Sequence, residues 1–147
     1  PKTPKPQPYI FKKVKTNIDS GTATFIQDGA IAAYSDEIHV EKMRNEYRIK
    51  RDLLVNAFKK MKLQDCTPEA TIYLWQKVPE GMTSVDFAKK LLLPEIAIVT
   101  TPGAWISDKT ENGLNPGEGY VRFSLVPSVK NTREAARRIK KILRKIL

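Results

Sequence analysis

The sequence predicts an α+β fold, in which helices cover one face of a small three-stranded sheet, antiparallel or mixed, and a long helix leads in. Two segments, residues 70–77 and 120–126, alternate apolar and polar side chains as half-buried strands do. In four other segments apolar residues recur at three- and four-residue steps, as in amphipathic helices: 21–34, 36–61, 83–93 and 132–146. Elements in this order indicate a layer of helices on a sheet.

Length and composition suit a single soluble domain. The 147 residues can bury a core, and contents of 41% hydrophobic and 29% charged residues are typical of globular proteins. No apolar run approaches the roughly 18 residues needed to span a bilayer, and no signal peptide is recognisable. The single cysteine, Cys66, excludes an internal disulfide and suits a reducing compartment. These features predict a cytoplasmic protein without a membrane partner.

The net charge of +10 is concentrated at the two ends of the chain. Residues 1–15 carry five lysines and no acid, and residues 133–147 carry seven basic residues and one acid. The 117 residues between them hold 14 basic and 15 acidic side chains. Nucleic-acid readers more often line one face with basic and base-reading groups. We therefore expect no nucleic-acid partner, although a basic nucleic-acid- or anion-binding module remains the alternative function.

The first eight residues contain four prolines, which disfavour helix and central strand. Residues 1–14 are therefore predicted to form an extended Pro/Lys-rich arm or linker, and residues 15–147 a single domain.

Helix starts can be placed from capping residues. Asp36 is positioned to cap the long helix that ends near Met61, and Thr83 or Ser84 to cap a helix that ends near Leu93. Gly29, inside the first predicted helix, suggests close packing of that helix.

The remaining predicted strands surround a polar loop. Ile96–Thr100 is rich in β-branched residues and is predicted to form a short strand that stops at a turn, Thr101-Pro102-Gly103. A polar loop covers 107–119, and the strand from Tyr120 to Val126 follows it.

Arg122 is the candidate functional residue of the last strand. Alternation places Tyr120, Arg122 and Ser124 on one face and Val121, Phe123 and Leu125 on the other, which is expected to face the core. A guanidinium is planar and always charged, so it suits two-point binding of a carboxylate or phosphate.

Four segments in order resemble the C-terminal part of the aspartate-aminotransferase superfamily of pyridoxal-phosphate enzymes, fold type I. They are KTNIDSGTATFIQDGAIAAY at 15–34, ATIYLWQKVPEGMTSVDFAKKLL at 70–92, TPG at 101–103, and GEGYVRFSL at 117–125 followed by TREAARRIKKIL. The resemblance covers nearly everything after Phe11. The NPGEGYVRFSLV phrase looks most like succinyldiaminopimelate aminotransferases, with the aspartate and LL-diaminopimelate types close behind.

The resemblance implies roles for a few residues. In this family the arginine of the GxGYxRxSL strand binds the α-carboxylate of the amino-acid substrate, and that arginine is Arg122 here. Asn17 and Ser20 lie in a segment that runs near the active-site cleft in relatives, which implies a weaker supporting role. A helix cap explains Ser20 equally well.

The resemblance also shows what is missing. The Schiff-base lysine motif, the aspartate on the pyridine nitrogen and the glycine-rich phosphate site precede the matched region in the family. Lys12, Lys13 and Lys15 lack the lysine's motif and are expected to face solvent. The chain is therefore expected to be a fragment, the small domain of an enzyme more than twice its length, with no catalytic lysine, no bound cofactor and no turnover of its own.

The parent implied by this resemblance is a homodimeric, pyridoxal-phosphate-dependent transaminase in amino-acid (lysine) biosynthesis. It would transfer an amino group between glutamate or 2-oxoglutarate and an amino acid such as succinyldiaminopimelate or aspartate.

Other reactive residue types favour ordinary structural roles. His39 is expected at the surface, Cys66 lacks basic neighbours that would activate its thiol, and Trp75 and Trp105 are expected to pack. No residues have metal-ligand spacing.

Overall fold

The computed structural model describes residues 8–18 and 21–143. Five helices and a three-stranded antiparallel sheet confirm the predicted α+β class. The elements follow in the order α1 Pro8–Ile18, α2 Thr24–Ser35, α3 Glu37–Lys60, β1 Tyr73–Lys77, α4 Ser84–Leu91, β2 Thr101–Pro102, a 3₁₀ turn Gly103–Trp105, β3 Tyr120–Ser124, α5 Val129–Arg138 and a π-helical turn Ile139–Leu143.

Two compact units divide the chain, Pro1–Glu41 and Lys42–Leu147. This division does not test where a domain of a longer protein begins, so the predicted boundary at residue 15 stays a prediction. Among the described helices, none combines the length and apolar character needed to cross a membrane.

The extended arm predicted for residues 1–14 is wrong from Pro8 onward, because α1 occupies Pro8–Ile18. Proline is tolerated in the first turn of a helix, where its missing N–H has no helical acceptor. Pro8 takes this place, and the ten residues after it contain no proline or glycine. Residues 1–7 lie outside the described part.

Helix α2 has no buried residue, and its apolar stripe, including Phe25, Ile31 and Tyr34, is exposed within its unit. A Cβ atom built on Gly29 meets no atom within 4 Å, so the close packing predicted at this glycine is wrong for the described unit. Helix α3 begins as predicted, since Asp36 Oδ1 accepts from the backbone N–H of Ile38 at 3.0 Å.

The core of the second unit lies between one face of the sheet and helices α3, α4 and α5. Phe58 of α3 and Phe123 of β3 form its centre, with ring centroids 5.1 Å apart. Around them pack Leu54, Leu74, Phe87, Leu91, Val121, Leu125, Ala136 and Ile139, all buried. The helices thus cover a single face of the sheet and leave the other face available.

The strand predicted at Ile96–Thr100 is wrong. The backbone N–H groups of Ile96 and Ala97 both donate to the carbonyl of Leu93, and that of Ile98 donates to Leu91. These bonds turn the segment back onto the end of α4, so these N–H groups are not available to a neighbouring strand. Ile96 is fully buried, which explains the β-branched composition by burial. The third strand is instead Thr101–Pro102, within the predicted turn.

Helix α4 is fixed at its start by Thr83. The Thr83 hydroxyl accepts from the backbone N–H of Asp86 at 3.1 Å and donates to the Asp86 carboxylate at 2.7 Å. Replacing Thr83 with Ala should therefore destabilise the fold by about 1 kcal/mol, measured by chemical denaturation. Thr83→Ser is the matched control because it keeps the hydroxyl and should retain most of the stability. Equal losses in both variants would show that the cap contributes nothing.

Candidate functional site

The candidate site lies on the outer face of the sheet, at its central strand. β3 pairs antiparallel with β1 on one side and β2 on the other. Val121 and Phe123 point into the core, whereas Arg122 is half-buried on the opposite face and Ser124 is exposed. The alternation predicted for this strand is therefore observed.

Neighbouring strands fix the surroundings of Arg122. Trp75 of β1 and Thr101 of β2 are its direct cross-strand partners. Tyr73, the diagonal neighbour on β1, places its ring beneath the guanidinium, with 4.4 Å between Cζ and the ring centroid. Such a cation–π contact limits the positions that the guanidinium can take. Tyr73 was not predicted as part of the site.

The donors of Arg122 are available. Throughout residues 8–18 and 21–143, the structure gives its guanidinium neither a hydrogen bond nor a carboxylate partner. A guanidinium has five N–H donors in a fixed fork. A charged fork that is held by an aromatic ring and lacks an acid partner can receive an external carboxylate or phosphate with two parallel hydrogen bonds.

Two glycines bring the turn at 101–103 against the approach to β3. A Cβ atom on Gly117 would lie 2.3 Å from the carbonyl oxygen of Gly103, and one on Gly103 would lie 2.2 Å from that of Gly117. The two backbones are therefore closer than any side chain permits. This contact joins the end of β2 to the segment that enters β3.

Asn115 holds the polar loop closed over this contact. Its side-chain oxygen accepts from the backbone N–H of Gly117 at 2.9 Å, and its side-chain nitrogen donates to the carbonyls of Ala104 and Ser107. The Ser107 hydroxyl lies 2.8 Å from the Gly103 carbonyl oxygen and 2.5 Å from the Asn115 side-chain oxygen. The loop predicted at 107–119 is thus fixed by hydrogen bonds at both of its ends.

The structure does not test the supporting residues. Asn17 is on α1 in the first unit, exposed, and donates to the carbonyl of Lys13. Ser20 lies outside the described residues. Trp75 and Trp105 do not pack in the core as predicted, since they are 38% and 71% exposed. Trp75 instead belongs to the same sheet face as Arg122.

Near the basic C-terminal end of the chain, two arginines share one carboxylate. Arg137 and Arg138 of α5 both donate to the Glu134 carboxylate, at 2.6 to 2.8 Å. These hydrogen bonds lower the pKa of Glu134 to about 2, and the bond from Arg137 makes the largest contribution. Two of the terminal cations are therefore paired within their own helix, which does not favour the alternative of a nucleic-acid-binding module.

A family model for aminotransferases of class I and II matches residues 10–139 of this chain. The chain belongs to this family. The match covers Arg122, both glycines of the close contact and the whole sheet, so the resemblance identified from the sequence segments is confirmed.

Two relatives of this aminotransferase-family chain are about two fifths identical to it over the aligned residues. It is 42% identical over 132 residues to the LL-diaminopimelate aminotransferase of Aquifex aeolicus, covering 88% of this chain and 32% of the relative. The corresponding enzyme of Maridesulfovibrio salexigens is 38% identical over 132 residues, with coverages of 88% and 32%.

Solved structures agree with the fold. An aminotransferase from Neisseria meningitidis superposes with a TM-score of 0.76 at 36% identity, over 89% of this chain and 32% of that one. An aromatic aminotransferase from Pyrococcus horikoshii superposes with a TM-score of 0.69 at 31% identity, over 84% of this chain and 32% of that one. The chain therefore spans about a third of the length of the relatives that it matches.

The described residues do not fit pyridoxal phosphate, the cofactor that the family implies. Lys12, Lys13 and Lys15 are exposed on α1. The one buried lysine of the described part, Lys50, is 3% exposed and has its ammonium 2.6 Å from the Glu46 carboxylate and over the Tyr47 ring. No described lysine thus lies free in an enclosed pocket, and no group of three or more metal-ligating side chains occurs in the same part.

Proposed function

We propose that this chain is the substrate-carboxylate-binding small domain, from about residue 15 onward, of a pyridoxal-phosphate-dependent transaminase. The observation that carries the proposal is Arg122, a half-buried guanidinium on the central strand that Tyr73 holds at 4.4 Å and that has no acid partner in the described part of the chain. Its place in a chain of the aminotransferase class I and II family makes an amino-acid carboxylate the preferred anion.

In the proposed parent, Arg122 donates two parallel N–H groups to the α-carboxylate of the substrate. This pair recognises the group that all amino-acid and 2-oxo-acid substrates share. It also orients the Cα–H bond for proton removal, because two hydrogen bonds fix both the position of a carboxylate and the orientation of its plane. Tyr73 keeps the fork in position for this contact.

Other parts of the parent would supply the chemistry. When bound, pyridoxal phosphate withdraws electrons from the substrate's Cα, and the residues that hold it would come from the two thirds of the relatives' length that this chain does not span. The parent is proposed to act as a cytoplasmic homodimer. Asn17 and Ser20 remain candidates for minor contacts in its cleft.

The names of the relatives narrow the proposed substrates. Both relatives reported above are named LL-diaminopimelate aminotransferases. We therefore propose transfer of an amino group between glutamate or 2-oxoglutarate and an amino acid of the diaminopimelate type, with succinyldiaminopimelate and aspartate as further candidates.

This proposal predicts that the 147-residue chain alone does not join covalently to pyridoxal phosphate. Mixed with the cofactor, it should give no visible absorbance band of a lysine-bound form, and mass spectrometry after borohydride reduction should find no specifically modified lysine. The parent, treated identically, should show the band and lose it when glutamate is added. A band in the chain alone that disappears in a Lys50→Met variant would contradict the proposal.

A further inference from the structure

A second basic site lies away from Arg122, between helix α3 and the segment that leads into β1. It is an open groove of about 410 Å³ within the second unit. Arg44, Tyr47, Arg48 and Arg51 line it from α3, and residues 69–72 form the opposite wall. Its volume falls in the range of small-ligand pockets. Arg122 is not among the lining residues, so the groove is separate from the proposed carboxylate site.

The three arginines are placed on one face of α3 by their spacing. Positions 44, 48 and 51 follow the four- and three-residue steps that bring side chains into one stripe on a helix. Among the residues that the structure describes, Glu69 is the one acid in the lining of the groove. The Asp52 carboxylate pairs with Arg51, so the positive charge available in the groove comes from Arg44 and Arg48.

Arg51 is engaged in building the groove. Its Nε and Nη2 atoms both lie 2.9 Å from the Asp52 carboxylate, and its Nη1 lies 3.5 and 3.4 Å from the carbonyl oxygens of Pro68 and Glu69. The guanidinium therefore joins α3 to the opposite wall through two long hydrogen bonds. It has little capacity left for a ligand.

Arg44 and Arg48 differ from Arg51 in their contacts. Both are exposed, and in the described ranges 8–18 and 21–143 neither forms a hydrogen bond or an ion pair. Beside them the groove is lined by apolar surface from Met43, Tyr47 and Ile72. The Tyr47 ring is half-buried, and the Lys50 ammonium that lies 4.8 Å from its centroid is paired with Glu46.

We propose that this groove binds a small organic anion, a phosphate or carboxylate attached to an aromatic or aliphatic body. The anionic group would bind Arg44 and Arg48, and the body would lie on the apolar surface beside them. Arg51 is a positioning residue that joins the two walls of the groove. The inference does not depend on the transaminase proposal, because none of its residues belongs to the Arg122 site.

The test is a titration of the 147-residue chain with phenyl phosphate, followed by amide NMR shifts. Saturable shifts should appear at residues 43–51 and 69–72, with a dissociation constant of roughly 1 mM or tighter. Inorganic phosphate should shift the same residues more weakly, because it lacks the apolar body. Phenol should not bind measurably, because it lacks the charge.

Two double variants that remove the same amount of charge distinguish a specific binding site from general electrostatic attraction. Arg44→Gln with Arg48→Gln should weaken phenyl phosphate binding by at least about tenfold. Lys42→Gln with Lys60→Gln removes the same charge from exposed positions of α3 outside the groove lining and should leave binding within about twofold. Equal weakening in both variants, or no saturable shift up to about ten times the expected constant, would overturn the proposal.

Discussion

Replacing Arg122 with Ala in the proposed parent transaminase should lower kcat/KM for amino-acid substrates on the order of a thousandfold. The change removes two charge-assisted hydrogen bonds to the carboxylate, each contributing about 1.5 to 3 kcal/mol. It also releases the substrate from the orientation required for proton removal, so both KM and kcat should suffer. Steady-state kinetics with glutamate and a diaminopimelate-type donor would measure both parameters.

Arg122→Lys is the matched control for this substitution. Lysine keeps the charge but is a point charge on a flexible stem, without the planar fork. It should recover part of the activity and remain well below the native enzyme. Neither change should unfold the domain, because the Arg122 side chain lies outside the core and has no ion pair in the described residues. Native kinetics in Arg122→Ala would rule out the assigned role.

Gly117→Ala should destabilise the second unit by about 3 kcal/mol and lower its melting temperature by about 10 °C. The added methyl group would lie 2.3 Å from both the Gly103 carbonyl oxygen and the Ser107 hydroxyl. One of these atoms is backbone, so the strain cannot be removed by rotating a side chain. Thermal unfolding of the 147-residue chain, followed by circular dichroism, measures the loss.

Gly119→Ala is the control from the same segment. A Cβ atom at this position meets nothing within 4 Å, and the residue is not in the left-handed region. Its melting temperature should therefore stay close to that of the unaltered chain. If Gly117→Ala proved as stable as Gly119→Ala, the close approach of the two glycine backbones could not be present in solution.

The sequence alone predicted the features that depend on local rules, namely two helix caps and the two faces of a strand. Asp36 and Thr83 cap their helices as predicted, because capping depends on a side chain and the N–H groups two or three residues later. The two faces of β3 were also predictable, since strand alternation follows directly from backbone geometry.

Contacts that the sequence pattern does not specify decided what was not predicted. The segment at 96–100 has the composition of a strand, but the N–H of Ile96 donates to the carbonyl of Leu93, just after α4, in a local turn. The register of β1 against β3 places Tyr73 diagonal to Arg122, and the alternation of ATIYLWQK alone cannot fix that register. The sequence placed Gly103 in a turn and Gly117 in the polar loop, yet only the folded chain shows that they touch.

Two of these contacts, that of Tyr73 and that between Gly103 and Gly117, surround the strand of Arg122. Tyr73 contacts its guanidinium, and the contact between Gly103 and Gly117 fixes the strands on which Thr101 and Arg122 are paired. The contact between the two glycines and the hydrogen bonds that close the polar loop hold β3 in a fixed position. We expect this positioning to matter most for the orientation of the bound carboxylate.

The most direct measurement compares glutamate with 4-aminobutyrate, the same molecule without its α-carboxylate, in single-turnover reactions of the native parent and Arg122→Ala. If the guanidinium holds the α-carboxylate, the native enzyme should favour glutamate strongly, and the variant should lose about a thousandfold of that preference with little change toward 4-aminobutyrate. Equal losses toward both compounds would contradict this role, since they would show that Arg122 acts without touching the group that distinguishes them.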